Sequence, residues 1–186
     1  MDILSANQMM WTAFFIGHIT PLAFIALYYF KYISKEICSL YFIGVLVGLT
    51  WEIPFSLAGK SFHLILIDWP IDLPLVRNIT YSFIDGLIFI IGAYLSKLIL
   101  KNSDFLYKFN SNALVIMILW GSFSEFLVDL NGNGKLWLFI DNWYNPVFVT
   151  INGNGLTVIP QLIWFVAPIV YYLSTLKYLS NTKIGI

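Results

Sequence analysis

Residues 113–130 read ALVIMILWGSFSEFLVDL, an apolar run that carries two acids, Glu125 and Asp129, near its end. The run is too long for an ordinary strand and approaches the roughly 20 residues that a membrane-spanning helix needs. Four similar runs flank it: Met9–Tyr32, Ile37–Leu57, Tyr81–Leu100 and Leu156–Leu176. The chain of 186 residues is 59% hydrophobic and 11% charged, with mean hydropathy +0.80. A soluble domain carries about 25% charged residues, so this composition is one solvated by lipid. The expected architecture is all-α: one transmembrane domain over residues 1–186, an integral membrane bundle of about five helices.

The same composition narrows the function classes. Formal net charge is zero, with no basic or acidic block to bind nucleic acid. Cys38 is the only cysteine, which leaves no intrachain disulfide and no cysteine-based metal or redox motif. His18 and His63 are the only histidines, and neither a His-x-x-x-His nor a Glu-x-x-His pair occurs. Carboxylates alone could hold a hard cation, but no Asp-rich run of the DDxxD kind is present. No metal and no cofactor is therefore expected. The first apolar run lacks a basic leader and an A-x-A exit, so it reads as a span rather than a cleaved signal.

Two longer connections interrupt the spans. FHLILIDWPIDLPLV, residues 62–76, contains Pro70 and Pro74 and argues against a further crossing. NGNGKLWLFIDNWYNPVFVTINGNG, residues 131–155, is aromatic but broken by Asn, Gly and Pro146, as in an interfacial hairpin or re-entrant flap. Lys31, Lys35, Lys97, Lys101, Lys108, Lys177 and Lys183 fall on one side of the membrane, against Lys60, Arg77 and Lys135 on the other. That bias predicts a cytoplasmic C-terminus, an exoplasmic N-terminus and exoplasmic aromatic loops. Asn78-Ile-Thr80 is a formal glycosylation sequon on the exoplasmic side, close to the bilayer.

Threading the spans brings polar side chains to one level. Glu52 falls in the outer third of the second span, Asp85 about one turn below the start of the third, and Glu125 one turn inside the end of the fourth. Asp129 repeats the face of Glu125, because residues four apart are helix neighbours, and sits at the rim. Gln161 comes to a similar depth in the fifth. An ionisable group at mid-helix costs roughly 2.5–3.5 kcal/mol on insertion scales, and such groups turn to a protein interior or a wet cavity. A weak two-fold repeat accompanies this, with Glu52 and Asp85 separated across one outer loop much as Glu125 and Gln161 are across the other. Internal repeats recur in membrane folds, with sites at the repeat interface.

Acids gathered in a dry site do not all ionise, and one that keeps its proton can deliver it to a weak base. In an apolar cavity the natural weak base is an alkene or an epoxide. Glu52, Asp85 and Glu125 are the candidate catalytic acids. Trp51, Trp120 and Trp164, beside them in sequence depth, are candidate substrate-binding rings, since aromatic faces stabilise cations. Gln161, Asp129 and His18 complete the candidate binding set. Trp69, Trp137 and Trp143 read as headgroup anchors or flap residues. The structural alternative is that the acids hydrogen-bond the helices together, through Trp51, Trp120 or Ser122.

GLTWEIPFSL, residues 48–57, resembles the second-helix W-E motif of the small membrane-integral terpene cyclases of fungal meroterpenoid and indole-diterpene pathways. RNITYSFIDGLIF, residues 77–89, is similar to that family's third helix, with Asp85 in its polar position. The resemblance implies an acid at Glu52 that protonates an epoxide or alkene of an isoprenoid substrate. WYNPVFVTINGNGLTVIPQLIWFVAPIVYY, residues 143–172, also looks like the helical small-subunit lycopene cyclases. Their P-x-E-E pair is replaced here, Pro160 being followed by Gln161, Leu162 and Ile163, so lycopene cyclisation by that pair is not implied. Five spans also fall short of the seven of the fungal enzymes. The expected partners are a hydrophobic isoprenoid substrate and the bilayer, with homo-oligomerisation left open. A non-catalytic lipid or sterol carrier, or a proton-coupled transporter, is the rival expectation. Pro21 and Pro54 are the residues that would break a transporter's helices.

Overall fold

The computed structural model describes residues 5–151 and 153–184, the side chains of 182–184 excepted. Lys183, counted above for orientation, therefore lies outside the described side chains. Five helices carry the architecture: α1 (Ala6–Tyr29), α2 (Lys35–Ala58), α3 (Pro74–Leu100), α4 (Ser111–Gly132) and α5 (Val158–Ile184). Each contains a stretch long and apolar enough to cross a membrane, and no sixth such helix occurs among the described residues. The helix starts follow local chemistry. Ser5 and Gln8 form a reciprocal capping box on α1. Ser34 caps α2 and Asn110 caps α4, each accepting from a backbone N–H of the first turn.

α3 begins well before the apolar run that starts at Tyr81. Pro74 needs no N–H at the first helical position and its fixed φ starts the turn. Arg77 and Asn78 thus belong to α3, not to a loop, and Asp85 lies eleven residues inside the helix rather than one turn below its start. At the other end of the bundle, α5 starts at Val158 because Leu156 and Thr157 pair in a strand.

The connections fold into four short strands: β1 (His63–Ile65), β2 (Trp137–Phe139), β3 (Val147–Ile151) and β4 (Asn154–Thr157). β3 and β4 form the hairpin expected for the second long loop. β1 and β2 join the two loops to one another, antiparallel, with His63 opposite Phe139, Leu64 opposite Leu138 and Ile65 opposite Trp137. Together these strands cap one end of the bundle.

α2 packs on α3, α3 on α4, α4 on α5, and α5 returns to α2, while α1 lies outside this ring against α3. The hairpins α2–β1–α3 and α4–β2–α5 thus occupy matching halves of the ring, and β1 meets β2 antiparallel about Leu64 and Leu138. α2 and α3 approach closely at Gly44 and Gly48, a small-xxx-small spacing on α2 that lets the helix backbones meet. A Cβ on Gly44 would stand 3.1 Å from Gly86 Cα, and one on Gly48 would stand 2.6 Å from Asp85 Oδ2. The absence of a side chain at 48 is what gives the Asp85 carboxyl its room.

Below the cap, the ring is filled by rings. Phe89 stacks on Trp164 at 5.3 Å and on Tyr171 at 4.7 Å, with Trp51 edge-on to Trp164 at 5.6 Å. A second cluster under the strands joins Phe62, Trp69, Trp137 and Phe139 to Met10 of α1. Large apolar side chains such as Leu22, Tyr29, Leu46 and Leu119 face outward, as a bundle solvated by acyl chains requires.

Candidate functional site

Between the aromatic floor and the strand cap lies a cavity of about 70 Å³. Each helix of the ring contributes to its wall: Trp51 and Glu52 from α2, Asp85 from α3, Glu125 and Asp129 from α4, and Pro160 and Trp164 from α5. His63, Trp137 and Phe139 form the roof. The four acids expected at one level therefore line one space. All four are buried, with Glu52 the most exposed at 9% and Asp129 the least at 1%.

Their partners differ. Glu52 Oε2 accepts a 2.6 Å hydrogen bond from Asn78 Nδ2, and the half-buried guanidinium of Arg77 acts on it electrostatically. Asp85 Oδ2 is buried with no hydrogen-bond partner. Asp129 Oδ1 accepts from Trp137 Nε1 at 3.3 Å and Oδ2 from Gln161 Nε2 at 3.0 Å. Glu125 faces the same cavity as Glu52, Asp85 and Asp129. A cavity of this size holds on the order of one or two waters. Orphaned atoms such as Asp85 Oδ2, Tyr81 Oη and His63 Nε2 are the polar groups that such waters, or a bound molecule, would satisfy.

Asp129 does not sit at a rim. The β1–β2 pair roofs it over, and Trp137 and Gln161 hold both of its oxygens. Trp137, expected as an anchor or flap residue, is buried above the acids, and Trp69 is buried in the same cap. Only Trp143 of that group is exposed, at 91%. The sequon asparagine, Asn78, is buried and committed to Glu52, so it offers no accessible acceptor for a glycan.

Trp51, Trp164 and Gln161 are brought to the acids as expected; Trp120 and His18 are not. The Trp120 indole donates to the Ile88 carbonyl at 2.8 Å and fixes α4 to α3. His18 lies on α1, outside the ring, with Nδ1 at 2.8 Å from the Phe14 carbonyl oxygen. Sequence reasoning in turn missed His63, Arg77, Asn78, Tyr81 and Phe55. His63 stacks on Phe139 at 4.7 Å, and burial, with Arg77 adding to it, pushes its imidazole down to about 3. The ring is thus neutral at physiological pH. No group of three or more His, Cys, Asp or Glu side chains is placed to hold a metal ion among the described residues.

A second concavity lies alongside, on the outer face between α2 and α5. It has a volume of about 480 Å³ and is lined by Val47, Thr50, Pro54, Leu162, Val166 and Val170 among others. It shares Trp51, Phe55 and Ile163 with the acid cavity. No protein-family model, curated protein or solved structure matches this chain.

Proposed function

We propose that the acid cavity performs cofactor-free, proton-initiated cyclisation or isomerisation of an isoprenoid lipid. The observation that carries this reading is the meeting of Glu52, Asp85, Glu125 and Asp129 in one cavity whose floor is the Trp51 and Trp164 rings. In the proposed reaction Glu52 is the acid. Its Oε2 accepts from Asn78, so the proton to be delivered is carried on Oε1. Transfer to a terminal alkene forms a C–H bond and leaves a tertiary cation; transfer to an epoxide oxygen forms an O–H bond and breaks a C–O bond, leaving a tertiary cation with a hydroxyl on the neighbouring carbon. A second double bond attacks the cation, closing a ring and moving the positive charge along the chain. Loss of a proton to Glu125 restores an alkene; Glu125 then releases that proton to solvent, Glu52 regains one from solvent, and Asp85 serves as the partner of Glu52. In an isomerisation the ring closure is omitted. Indole faces stabilise the cation in either case.

The membrane orientation belongs to the same reading. The lysine bias supports an exoplasmic N-terminus and a cytoplasmic C-terminus, with the strand cap and the acids toward the outer leaflet. The apolar concavity between α2 and α5 would equally suit a non-catalytic lipid carrier, which is the second reading. Purified protein supplied with linear polyprenyl substrates, with and without a terminal epoxide, separates the two. Cyclisation after alkene protonation is isomeric, so products are followed by retention and NMR, and one solvent deuterium is incorporated at the protonated carbon. A wild-type protein that retains either substrate with its structure unchanged is a carrier.

A further inference from the structure

We infer that the groove between α2 and α5 is the subsite for the apolar chain of the substrate, which enters sideways from the bilayer with its reacting end in the acid cavity. This rests on the reading above. Size is the first argument. The acid cavity, at about 70 Å³, admits only the reacting end of a lipid, whereas ligand sites commonly occupy about 300–1,000 Å³. The groove, at about 480 Å³, lies in that range.

Continuity is the second argument. Trp51, Phe55 and Ile163 belong to both spaces, so the two adjoin across these side chains, and a chain that occupies both crosses at Trp51. Trp51 belongs to the aromatic floor, which places a ring face at the junction where a migrating cation would pass.

The third argument is chemical. Thr50 is the groove's one hydroxyl, and its Oγ1 donates back to the Val47 carbonyl at 2.7 Å. Apart from the Trp51 indole at the junction, the other residues that line the groove are apolar. The part of the occupant that lies in the groove is therefore hydrocarbon, its reactive end is at the acids, and any polar group at the other end lies beyond the groove. Pro54 lines the groove from within α2, and its ring cannot donate to the preceding turn, which leaves this part of α2 free of the regular ladder beside the junction.

Photolabelling tests the site without requiring turnover. Protein in lipid nanodiscs is exposed to a prenyl alcohol of four isoprene units bearing a diazirine at the end remote from the reactive alkene. Label is expected on residues 159–170 and 47–54, displaced by unlabelled prenyl alcohol but not by added phospholipid. Label spread evenly over the outward helix faces, or displaced equally by phospholipid, would overturn the inference and make the groove an ordinary lipid-facing surface. Chain length supplies the second readout. Thr50→Trp and Val166→Phe, both at exposed positions, should lower conversion of the four-unit alcohol at least about tenfold, through KM, because the larger side chains fill the groove and exclude the chain from its apolar contacts. Conversion of a two-unit alcohol should be unchanged, as should both activities in Leu119→Trp on the far side of the ring. Equal loss for both lengths, or loss for neither, would count against the groove. Glu52→Gln should keep the groove label while losing turnover. Wild type labelled in the groove yet converting neither alcohol would instead remove the acid-catalysed reading and leave the lipid subsite standing.

Discussion

Asn78 on α3 donates its side-chain amide to Glu52 Oε2 on α2 at 2.6 Å, joining two helices through a pair of buried polar groups. The bond fixes one oxygen of the proposed acid and ties it to the helix that carries Asp85. Replacing Asn78 by Ala leaves Glu52 without that donor, at a cost of about 1–3 kcal/mol for the stranded group. Thermal unfolding should register the loss. Turnover should fall about tenfold or more, with kcat affected more than KM, because the acid is misdirected rather than the substrate released.

Glu52→Gln retains a side chain of the same shape and can still meet the Asn78 amide through its own carbonyl oxygen. The variant should express and unfold near the wild-type temperature while turnover drops by about 10²–10⁴-fold, the usual contribution of a positioned acid. Near-normal product from a folded variant would exclude Glu52 as the acid. Failure to fold would identify the residue as a tie between helices.

Asp85→Asn and Glu125→Gln should each impair turnover, and the double variant should lose far less than the two effects multiplied. Residues acting on one another within one cavity are not independent. Full additivity, measured as the product of the two single losses in kcat/KM, would place the two acids in separate roles or separate steps. Asp129, with both oxygens held by Trp137 and Gln161, is expected to be costly to folding when replaced by Ala.

His63 makes a specific pH dependence. Its imidazole is held down to about 3 in the folded protein, against roughly 6.5 when unfolded. Between those values the unfolded chain binds a proton that the folded one does not, so stability is intact above about 6.5 and declines as the pH falls toward 3, by up to about 1.4 kcal/mol per unit. His63→Phe, which keeps a flat ring over Phe139, should flatten this part of the curve. The difference between wild type and variant isolates the histidine from Glu52, Asp85, Glu125 and Asp129, which titrate in both.

Gly48→Ala tests the room given to Asp85. The added Cβ would lie 2.6 Å from Asp85 Oδ2, so either the carboxyl or the α2–α3 contact must shift. A destabilisation of about 1–3 kcal/mol is expected, as for other overpacked sites, together with reduced turnover. Wild-type stability and activity would show that α2 and α3 part more easily than their packing suggests.

The helices were legible because lipid demands long, nearly uncharged runs, and Lys31 and Lys101 close two of them. The acid convergence was legible for a related reason: Glu52, Asp85, Glu125 and Asp129 stand out where almost nothing else is polar. The cap was not. β1 and β2 are three residues each and pair across some seventy positions of chain, so no local pattern marks them. That one omission explains the misplacement of Asp129 at a rim. Arg77 and Asn78 were missed because their polarity resembled a loop, although Pro74 was a usable signal for an earlier helix start. The Gly44–Gly48 spacing was also present to be read. His18 and Trp120 share the depth of other candidates but not their direction, and direction around a helix depends on which neighbour it meets.

The β1–β2 pair also dictates an order of events during synthesis. Chains emerge N-terminus first, at about 5–20 residues per second, so α2 and α3 can associate through Gly44 and Gly48 while β2 has yet to be made. For that interval Glu52 has Asn78 beside it, but neither it nor Asp85 has a roof, a fourth wall or the α4 acids. The cavity closes only when Trp137–Phe139 arrives beside His63–Ile65. A ribosome stalled before α4 leaves Glu52 and Asp85 without the α4 wall and the β2 roof.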